Sequence, residues 1–252
     1  MRTHKLEIAG AHGHVLAARL DAPEGALRAY ALFAHCFTCG KDALASRRIA
    51  QALTAHGIAV LRFDFAGLGA SGGDFADTNF SSNVADLLAA AEHLRQHYAA
   101  PALLIGHSLG GTAILAAAGA IPEARAVVTL SSPSAPSQIL GLFSAHLEQI
   151  AEHGEAQVQL AGRPFRIKRQ FLDDAAAHSL HGKIAQLDKA LLVMHAPGDT
   201  TVAFAHAMEI FTAAPQPKSF ISLDDIEHTL AGRDEGRYVA DLIAAWSARY
   251  LA

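Results

Sequence analysis

Short apolar runs alternate with longer amphipathic segments along this chain of 252 residues. Most of the short runs are continuously apolar, which is typical of strands buried on both faces of a sheet. They lie at 29–34, 58–63, 102–105, 126–130, 191–195 and 219–223. Helical periodicity appears between them, near 41–56, 80–97, 109–120, 203–213 and 234–251. Because strands and helices alternate, the pattern predicts an α/β fold with a mostly parallel central sheet flanked by helices.

Two segments depart from that alternation. Residues 4–9 and 14–20 flank a glycine-containing turn and predict a hairpin at the sheet edge. Residues 133–188 separate two predicted core strands by far more than an ordinary connection. This insertion has a helical apolar face between positions 139 and 150 and a hairpin-like alternation between 158 and 167. We expect one domain over residues 1–252, in which the insertion forms a small helix-plus-hairpin cap over the carboxyl edge of the sheet.

Composition argues against several classes of protein. Hydrophobic residues make up 51% of the chain, which suffices for a large core, but no apolar run is long enough to span a bilayer. The net charge of −4 and the lack of an extended basic stretch argue against nucleic acid as a partner. The first residues lack the apolar segment of a secretory signal, and two cysteines cannot form a disulfide framework. These features predict a cytoplasmic protein with no membrane and no nucleic-acid partner.

The strongest chemical signal is Gly-His-Ser-Leu-Gly-Gly at residues 106–111, which matches the pattern G-x-S-x-G. It follows a predicted strand and opens a predicted helix, the context in which a sharp turn presents a nucleophilic serine. Glycines let the strand and the helix approach closely, and the helix N-terminus favours developing negative charge. We therefore interpret Ser108 as a catalytic nucleophile rather than as part of a plain glycine-rich turn.

A serine nucleophile needs a base, and the base needs an orienting carboxylate. After Ser108, Asp199 follows the predicted strand at 191–195, and His228 follows the one at 219–223. Such sheets place catalytic groups past their strand ends, so we predict a triad of Ser108, Asp199 and His228. The chain has 15 histidines, and only the position of His228 in this order selects it. The alternative carboxylates are Asp173, Asp174, Asp224 and Asp225.

The oxyanion of an acyl-transfer intermediate needs two backbone N–H donors. One normally comes from the residue after the nucleophile, here Leu109, and the other from the loop after the third strand. In that loop, at 34–40, Phe37 is the candidate. A core position for the Phe37 ring would not compete with a donor role for its backbone. No metal and no organic cofactor is implied by this chemistry.

Five ordered motifs resemble those of the α/β-hydrolase superfamily. His-Cys-Phe-Thr at 35–38 stands where these proteins commonly carry His-Gly-Phe, and residues 62–72 are similar to their D-x-R-G-x-G-x-S stretch. The turn at 106–111, the Pro-Gly-Asp199 loop and His228 complete the series over nearly the whole chain. The resemblance implies the α/β-hydrolase fold. Serine at the nucleophile position, where haloalkane dehalogenases and epoxide hydrolases place aspartate, argues against those relatives.

The stretches at 35–42, 62–84 and 162–174 further resemble the hydrolase half of bacterial proteins that fuse this domain to an OsmC-like, thiol-dependent peroxide reductase. That resemblance implies a functional link to an OsmC-like protein, and a homodimer is also left open. The loop at 35–38 resembles that of cinnamoyl and feruloyl-type esterases. We expect a serine hydrolase that cleaves small-molecule carboxylic esters of small to medium acyl groups. The alternatives are a thioesterase, a small-peptide hydrolase and a non-catalytic module that partners a redox protein.

Two further features each have two interpretations. For Cys36 and Cys39 we favour packed free thiols over a regulatory disulfide that would flank Phe37. For the basic side chains of the predicted cap hairpin we favour a solvated polar face over a docking site for an anionic acyl carrier, which would suit a thioesterase. These side chains are Arg163, Arg166, Lys168 and Arg169.

Overall fold

The computed structural model describes residues 1–232 and 234–251. Within that part of the chain, eight strands form a central sheet and two form a separate hairpin. In chain order the strands are β1 (Arg2–Ala9), β2 (Val15–Ala22), β3 (Ala29–Ala34), β4 (Ile58–Phe63), β5 (Leu103–His107), β6 (Ala126–Leu130), β7 (Glu155–Leu160), β8 (Arg163–Lys168), β9 (Ala190–His195) and β10 (Lys218–Ser222). The central sheet has the order β1-β2-β4-β3-β5-β6-β9-β10. Strands β1, β2 and β4 pair antiparallel, and all the other neighbours in this sheet are parallel.

Helices cover both faces of the sheet. They are α1 (Leu44–Thr54), α2 (Phe80–His97), α3 (Leu109–Ala117), α4 (Leu147–His153), α5 (Arg169–Ala177), α6 (His181–Ala185), α7 (Ala205–Ala213) and α8 (Glu235–Ser247). Helices α1 and α8 pack on one face, and α2, α3 and α7 pack on the other. The predicted α/β class, with a mostly parallel sheet between helices, is confirmed. No described helix combines the length and the apolar character that crossing a bilayer would require.

Each central strand contributes to two cores because successive side chains point to opposite faces. Leu32 and Leu104 pack with α2 and α3, whereas Phe33 and Ile105 pack with α1 and α8. All four side chains are fully buried, and burying one of this size stabilises the fold by about 1.5–3 kcal/mol. This double burial explains why these strands are continuously apolar in sequence. It also holds the strand ends in fixed relative positions, which matters for the site built on them.

Most predicted elements lie where the pattern placed them, and the opening hairpin is β1–β2 at the sheet edge. Two boundaries differ near the serine. The strand predicted to end at 105 continues to His107, so it runs directly into Ser108. The helix predicted over 109–120 is α-helical only to Ala117 and closes with a 3-10 turn.

The segment between β6 and β9 contains a run of 3-10 turns, α4, the β7–β8 hairpin, α5 and α6. The continuous helix expected over 139–150 is wrong. The chain forms 3-10 turns over Pro136–His146, with non-helical backbone at Phe143 (φ −134°, ψ 32°), before α4 begins. That break brings the Phe143 ring within 6.3 Å of the Phe171 ring, so packing inside the segment outweighs helical periodicity. The segment packs on the sheet's α2–α3 side, with α5 against α2 and α6 against α3.

Candidate active site

Ser108 occupies the turn between β5 and α3 with a backbone conformation (φ 54°, ψ −127°) that residues other than glycine rarely adopt. The turn is possible because the helix passes very close to the sheet. A Cβ atom on Gly110 would lie 2.3 Å from the carbonyl oxygen of Ala34, and one on Gly111 would lie 1.9 Å from Oγ of Ser132. Only glycine fits at these two positions, and the turn presents Ser108 at the carboxyl edge of the sheet.

Asp199 and His228 reach Ser108 from the loops after β9 and β10. Nδ1–H of His228 donates to Oδ2 of Asp199 at 2.7 Å. Nε2 of His228 lies 3.2 Å from Oγ of Ser108, within hydrogen-bonding distance. The structure therefore brings together all three residues of the predicted triad, in an arrangement that allows His228 to accept the proton of Ser108.

The charge of Asp199 is set by competing effects on its pKa. Burial alone would raise that pKa, but hydrogen bonds from His228 and from the N–H groups of Val202 and Thr201 lower it to about 2. The carboxylate is thus ionised at neutral pH. It keeps the proton of His228 on Nδ1, which leaves Nε2 free to act as a base.

Two buried histidines that sequence reasoning missed hold the loops of the triad. Nε2–H of His107 donates to the carbonyl oxygen of His228 at 2.8 Å. Nε2–H of His195 donates to the carbonyl oxygen of Val202 at 2.9 Å. Burial lowers the pKa of both, that of His107 to about 3, so both rings are neutral. The available signals were the position of His107 beside Ser108 and that of His195 at the end of a strand.

Within residues 1–232 and 234–251, none of the alternative carboxylates forms a hydrogen bond or an ion pair with His228. Asp224 accepts a hydrogen bond from Ser222 at 2.6 Å, and Asp174 accepts one from the hydroxyl of Ser81 at 2.5 Å. These four carboxylates are Asp173, Asp174, Asp224 and Asp225. Over the same described ranges, no group of three or more His, Cys, Asp or Glu side chains is arranged to hold a metal ion.

Both predicted oxyanion donors are available. Among the described residues, the backbone N–H groups of Phe37 and Leu109 have no hydrogen-bond partner. Phe37 lines the two cavities that border Ser108, and Leu109 directly follows Ser108 in the chain. Leu109 is also the first residue of α3, where the helix dipole favours negative charge. The arrangement can therefore offer two donors to an oxyanion formed next to Ser108.

A model of the alpha/beta hydrolase family matches residues 31–252 of the chain. The matched range includes the Ser108 turn and the loops that carry Phe37, Asp199 and His228. The chain belongs to the alpha/beta hydrolase family. The superfamily that the sequence motifs resemble is thereby confirmed.

Individual relatives of this alpha/beta hydrolase include named enzymes. The esterase domain of a Rhodothermus marinus protein is 44% identical, with both chains fully covered and a TM-score of 0.80. Est1E from Butyrivibrio proteoclasticus, solved with ferulic acid bound, is 19% identical over 98% of this chain and 99% of that one, with a TM-score of 0.80, which shows a shared fold. The mitochondrial palmitoyl-protein thioesterase ABHD10 of Rattus norvegicus is 24% identical over 185 residues, or 71% of this chain. The hydrolase spans 60% of that rat protein and 56% of its Pongo abelii counterpart.

The loop that carries Phe37 is closed by a disulfide between Cys36 and Cys39, whose Cα atoms lie 5.3 Å apart. The favoured interpretation of two free thiols is therefore wrong for this structure. The N–H of Cys39 also donates to the carbonyl oxygen of Cys36 at 3.1 Å, and Thr38 adopts a positive φ of 59°. The result is a tight turn in the hydrolase that brackets Phe37, the predicted oxyanion donor.

The basic side chains predicted on the cap hairpin are paired within the chain, and Arg169 lies at the start of α5 rather than on the hairpin. Arg163 donates to the carbonyl oxygen of Thr38. This bond connects the hairpin to residues 34–40, the loop that carries the predicted oxyanion donor and is called the oxyanion loop below. Arg166 lies 2.9 Å from Asp74. Lys168 pairs with Asp77, and Arg169 lies 3.5 Å from Asp173. These contacts favour the polar-face interpretation over an open docking site for an anionic carrier.

An aromatic cluster joins the cap to the oxyanion loop. The Phe37 ring lies 5.7 Å from Phe75 and 5.6 Å from Phe171, and Phe75 lies 4.8 Å from Phe165. Such ring pairs contribute about 0.5–1.5 kcal/mol each beyond their buried area. Phe37 thus packs as an aromatic while its backbone N–H stays available, as the sequence allowed.

The buried carboxylate of Asp64, which sequence reasoning missed, binds the residue that directly follows the oxyanion loop. Asp64 accepts hydrogen bonds from the backbone N–H of Lys41 at 2.5 Å, from its Nζ at 2.8 Å, and from the N–H of Ala70 at 2.9 Å. The available sequence signal for this role was the position of Asp64 within the motif at 62–72. Asp64 joins two loops at the carboxyl edge of the sheet.

Two cavities open beside Ser108. The larger measures about 570 Å³ and the smaller about 190 Å³. Four residues border both cavities, namely Phe37, Ser108, Leu142 and Thr201. The larger cavity also reaches the disulfide loop and the turn of the cap hairpin. A substrate bonded to Ser108 therefore has room in two directions.

Proposed function

We propose that this alpha/beta hydrolase is a serine hydrolase that cleaves carboxylic esters of small to medium acyl groups through an acyl-enzyme. The observation that carries the proposal is the continuous chain of contacts from Ser108 Oγ through His228 to Asp199, at 3.2 and 2.7 Å. That chain connects a nucleophile, a base and an orienting carboxylate in the required order.

In the first step, Oγ of Ser108 attacks the ester carbonyl carbon while Nε2 of His228 takes the hydroxyl proton. The carbonyl oxygen becomes an oxyanion, which accepts hydrogen bonds from the N–H groups of Phe37 and Leu109. Asp199 stabilises the imidazolium that forms. The bond to the alcohol oxygen then breaks, and His228 delivers its proton to that oxygen, which releases the alcohol and leaves an acyl group on Ser108.

In the second step, water replaces the alcohol. Nε2 of His228 takes a proton from the water as it attacks the acyl carbon, and the same two N–H groups hold the oxyanion. Collapse of the intermediate returns the proton to Oγ of Ser108 and releases the acid. Both steps use the same residues, and the enzyme returns to its starting state.

The 44% identical esterase domain supports ester bonds as the first choice of substrate. A thioesterase is the second candidate, supported by the likeness to ABHD10 of Rattus norvegicus, a palmitoyl-protein thioesterase. The basic residues of the cap do not add support for a thioesterase, because they pair within the chain and do not form an open docking site for an anionic acyl carrier. A thioester would follow the same two steps, with a thiol as the leaving group.

A fluorophosphonate probe tests the nucleophile. Wild-type protein should take the label at Ser108 and should hydrolyse p-nitrophenyl esters, and Ser108→Ala should lose both properties. Ser132→Ala is the matched control, because Ser132 is buried beside the same turn and its hydroxyl donates to the carbonyl oxygen of Leu130 at 3.2 Å. Equal labelling of wild type and Ser108→Ala would contradict the proposal.

A further inference from the structure

The two cavities beside Ser108 border different catalytic groups. The wall of the larger cavity, about 570 Å³, includes His228 and its neighbours Thr229 and Ala231. The smaller cavity, about 190 Å³, extends instead toward Pro133 and His206, and His228 is not part of its wall. Of these two cavities, therefore, the larger one borders His228, the proposed base, and the smaller one does not.

The position of His228 decides which part of a substrate enters which cavity. In the tetrahedral intermediate, the former carbonyl carbon carries the Ser108 oxygen, the oxyanion, the acyl chain and the leaving group. The leaving oxygen must take its proton from Nε2 of His228, so that oxygen must lie next to His228. The acyl chain receives no proton and extends away from the base.

We propose that the larger cavity holds the leaving alcohol or thiol and that the smaller cavity holds the acyl chain, an inference that rests on the proposed serine-hydrolase function. The side chains of Leu44, Leu142 and Leu160 make the larger cavity apolar. The larger cavity, at about 570 Å³, has three times the volume of the smaller one, at about 190 Å³. The substrate class is an ester or thioester of a short acid with a long apolar alcohol or thiol.

This assignment separates the chain from enzymes that remove long acyl groups. A palmitoyl chain is too long for the smaller cavity, and in the larger cavity it would occupy the space next to His228 that the leaving group needs. The esterase reaction and the thioesterase reaction of short acyl groups are both compatible with the assignment.

Two isomeric esters test the orientation directly. Octyl butanoate and butyl octanoate have the same atoms and nearly the same hydrophobicity, and they differ in which side of the carbonyl carries the long chain. We expect kcat/KM for octyl butanoate to exceed that for butyl octanoate by about tenfold, because only the octyl alcohol fills the larger cavity. Equal values, a reversed preference or no cleavage of octyl butanoate would overturn the assignment.

Labelling separates this failure from failure of the proposed function. If the fluorophosphonate probe labels Ser108 while the ester preference is equal or reversed, only the cavity assignment is wrong. If Ser108 takes no label, the serine-hydrolase proposal fails as well, and the cavity assignment fails with it.

Two substitutions at exposed positions, one in each cavity wall, give a matched pair of variants. Leu44→Trp narrows the larger cavity, and Ala203→Leu narrows the smaller one. We expect Leu44→Trp to lower the preference for octyl over ethyl butanoate several-fold and to leave the choice between octyl acetate and octyl butanoate unchanged. Ala203→Leu should favour octyl acetate over octyl butanoate and should leave the preference for octyl over ethyl butanoate unchanged. If each variant instead changed the selectivity assigned to the other, the two cavities would have the opposite roles.

Discussion

The two oxygens of Asp199 have separate partners. Oδ1 accepts hydrogen bonds from the N–H groups of Thr201 and Val202 at 2.8 and 2.9 Å, and Oδ2 accepts from His228. Because the backbone fixes one oxygen, the other stays directed at His228. The loop after β9 thus sets the direction of this carboxylate, and together with His228 it keeps the carboxylate ionised.

Replacing this carboxylate tests its orienting role. Asp199→Asn should lower kcat on the order of 10³–10⁴-fold, because an amide can donate to Nδ1 and then favours the tautomer whose Nε2 cannot accept the Ser108 proton. Steady-state hydrolysis of a p-nitrophenyl ester measures the loss. The control is Asp224→Asn, an exposed carboxylate that bonds Ser222, and it should keep nearly full activity. A large loss in the control together with a normal rate for Asp199→Asn would reassign the orienting residue.

The oxyanion loop, residues 34–40, is held by several contacts at the scale of secondary-structure elements. The Cys36–Cys39 disulfide closes it, Arg163 of β8 binds its carbonyl at Thr38, and the Phe37 ring packs on Phe75 and on α5. A donor N–H is effective only if it keeps its position relative to the oxyanion. In the proposed mechanism, the cap therefore has two roles: it holds the loop that carries Phe37, and it forms part of a cavity wall.

Opening the disulfide should weaken catalysis without abolishing it. Loss of an oxyanion donor costs about 10²–10³-fold in kcat. The loop keeps its backbone hydrogen bond and its aromatic contacts, so we expect a decrease of about tenfold on reduction by a dithiol. The Cys36→Ser/Cys39→Ser double variant should show the same lowered kcat and should not respond to the dithiol. An unchanged kcat in fully reduced wild type would show that the bond does not support the donor.

At the scale of the whole molecule, buried histidines link stability to pH. Burial lowers the pKa of His107 from 6.5 to about 3, and it lowers those of His35 and His195 as well. Between about 3 and 6.5 the unfolded chain therefore binds more protons than the folded one, so stability falls as the pH decreases through this range. Above 6.5 these groups add no pH dependence.

Urea unfolding at pH 7 and pH 5 measures this linkage. For each histidine that the fold keeps buried and neutral, the free energy of unfolding should decrease by about 1 kcal/mol for every pH unit below the pKa of that histidine in the unfolded chain. His107→Gln keeps a donor near the His228 carbonyl oxygen and removes one titrating group, so its stability should fall less between the two pH values. The same pH dependence in wild type and in His107→Gln would show that His107 is not held neutral by the fold.

Much of the fold and of the candidate site could be predicted from the sequence, because local pattern and chain order carry that information. Ser108, Asp199 and His228 each directly follow or lie just beyond an apolar strand, and parallel strands bring such positions to one edge. The contact of His107 with the His228 carbonyl depends on residues 121 positions apart, and no local pattern marks it. Whether Cys36 and Cys39 bond depends on the distance across a turn, which spacing alone does not give. The break at Phe143 arises from packing inside the cap.

The order of the strands leaves β1 and β10 at the two margins of the central sheet. A marginal strand with free backbone groups can recruit a strand from a second molecule, which is a common route to aggregation. On β1 the side chains of Arg2, Lys5 and Glu7 are exposed, and such charges oppose the approach of another strand. On β10, Nζ of Lys218 binds carbonyl oxygens at the end of α7. Extension of the sheet from molecule to molecule is therefore disfavoured at β1.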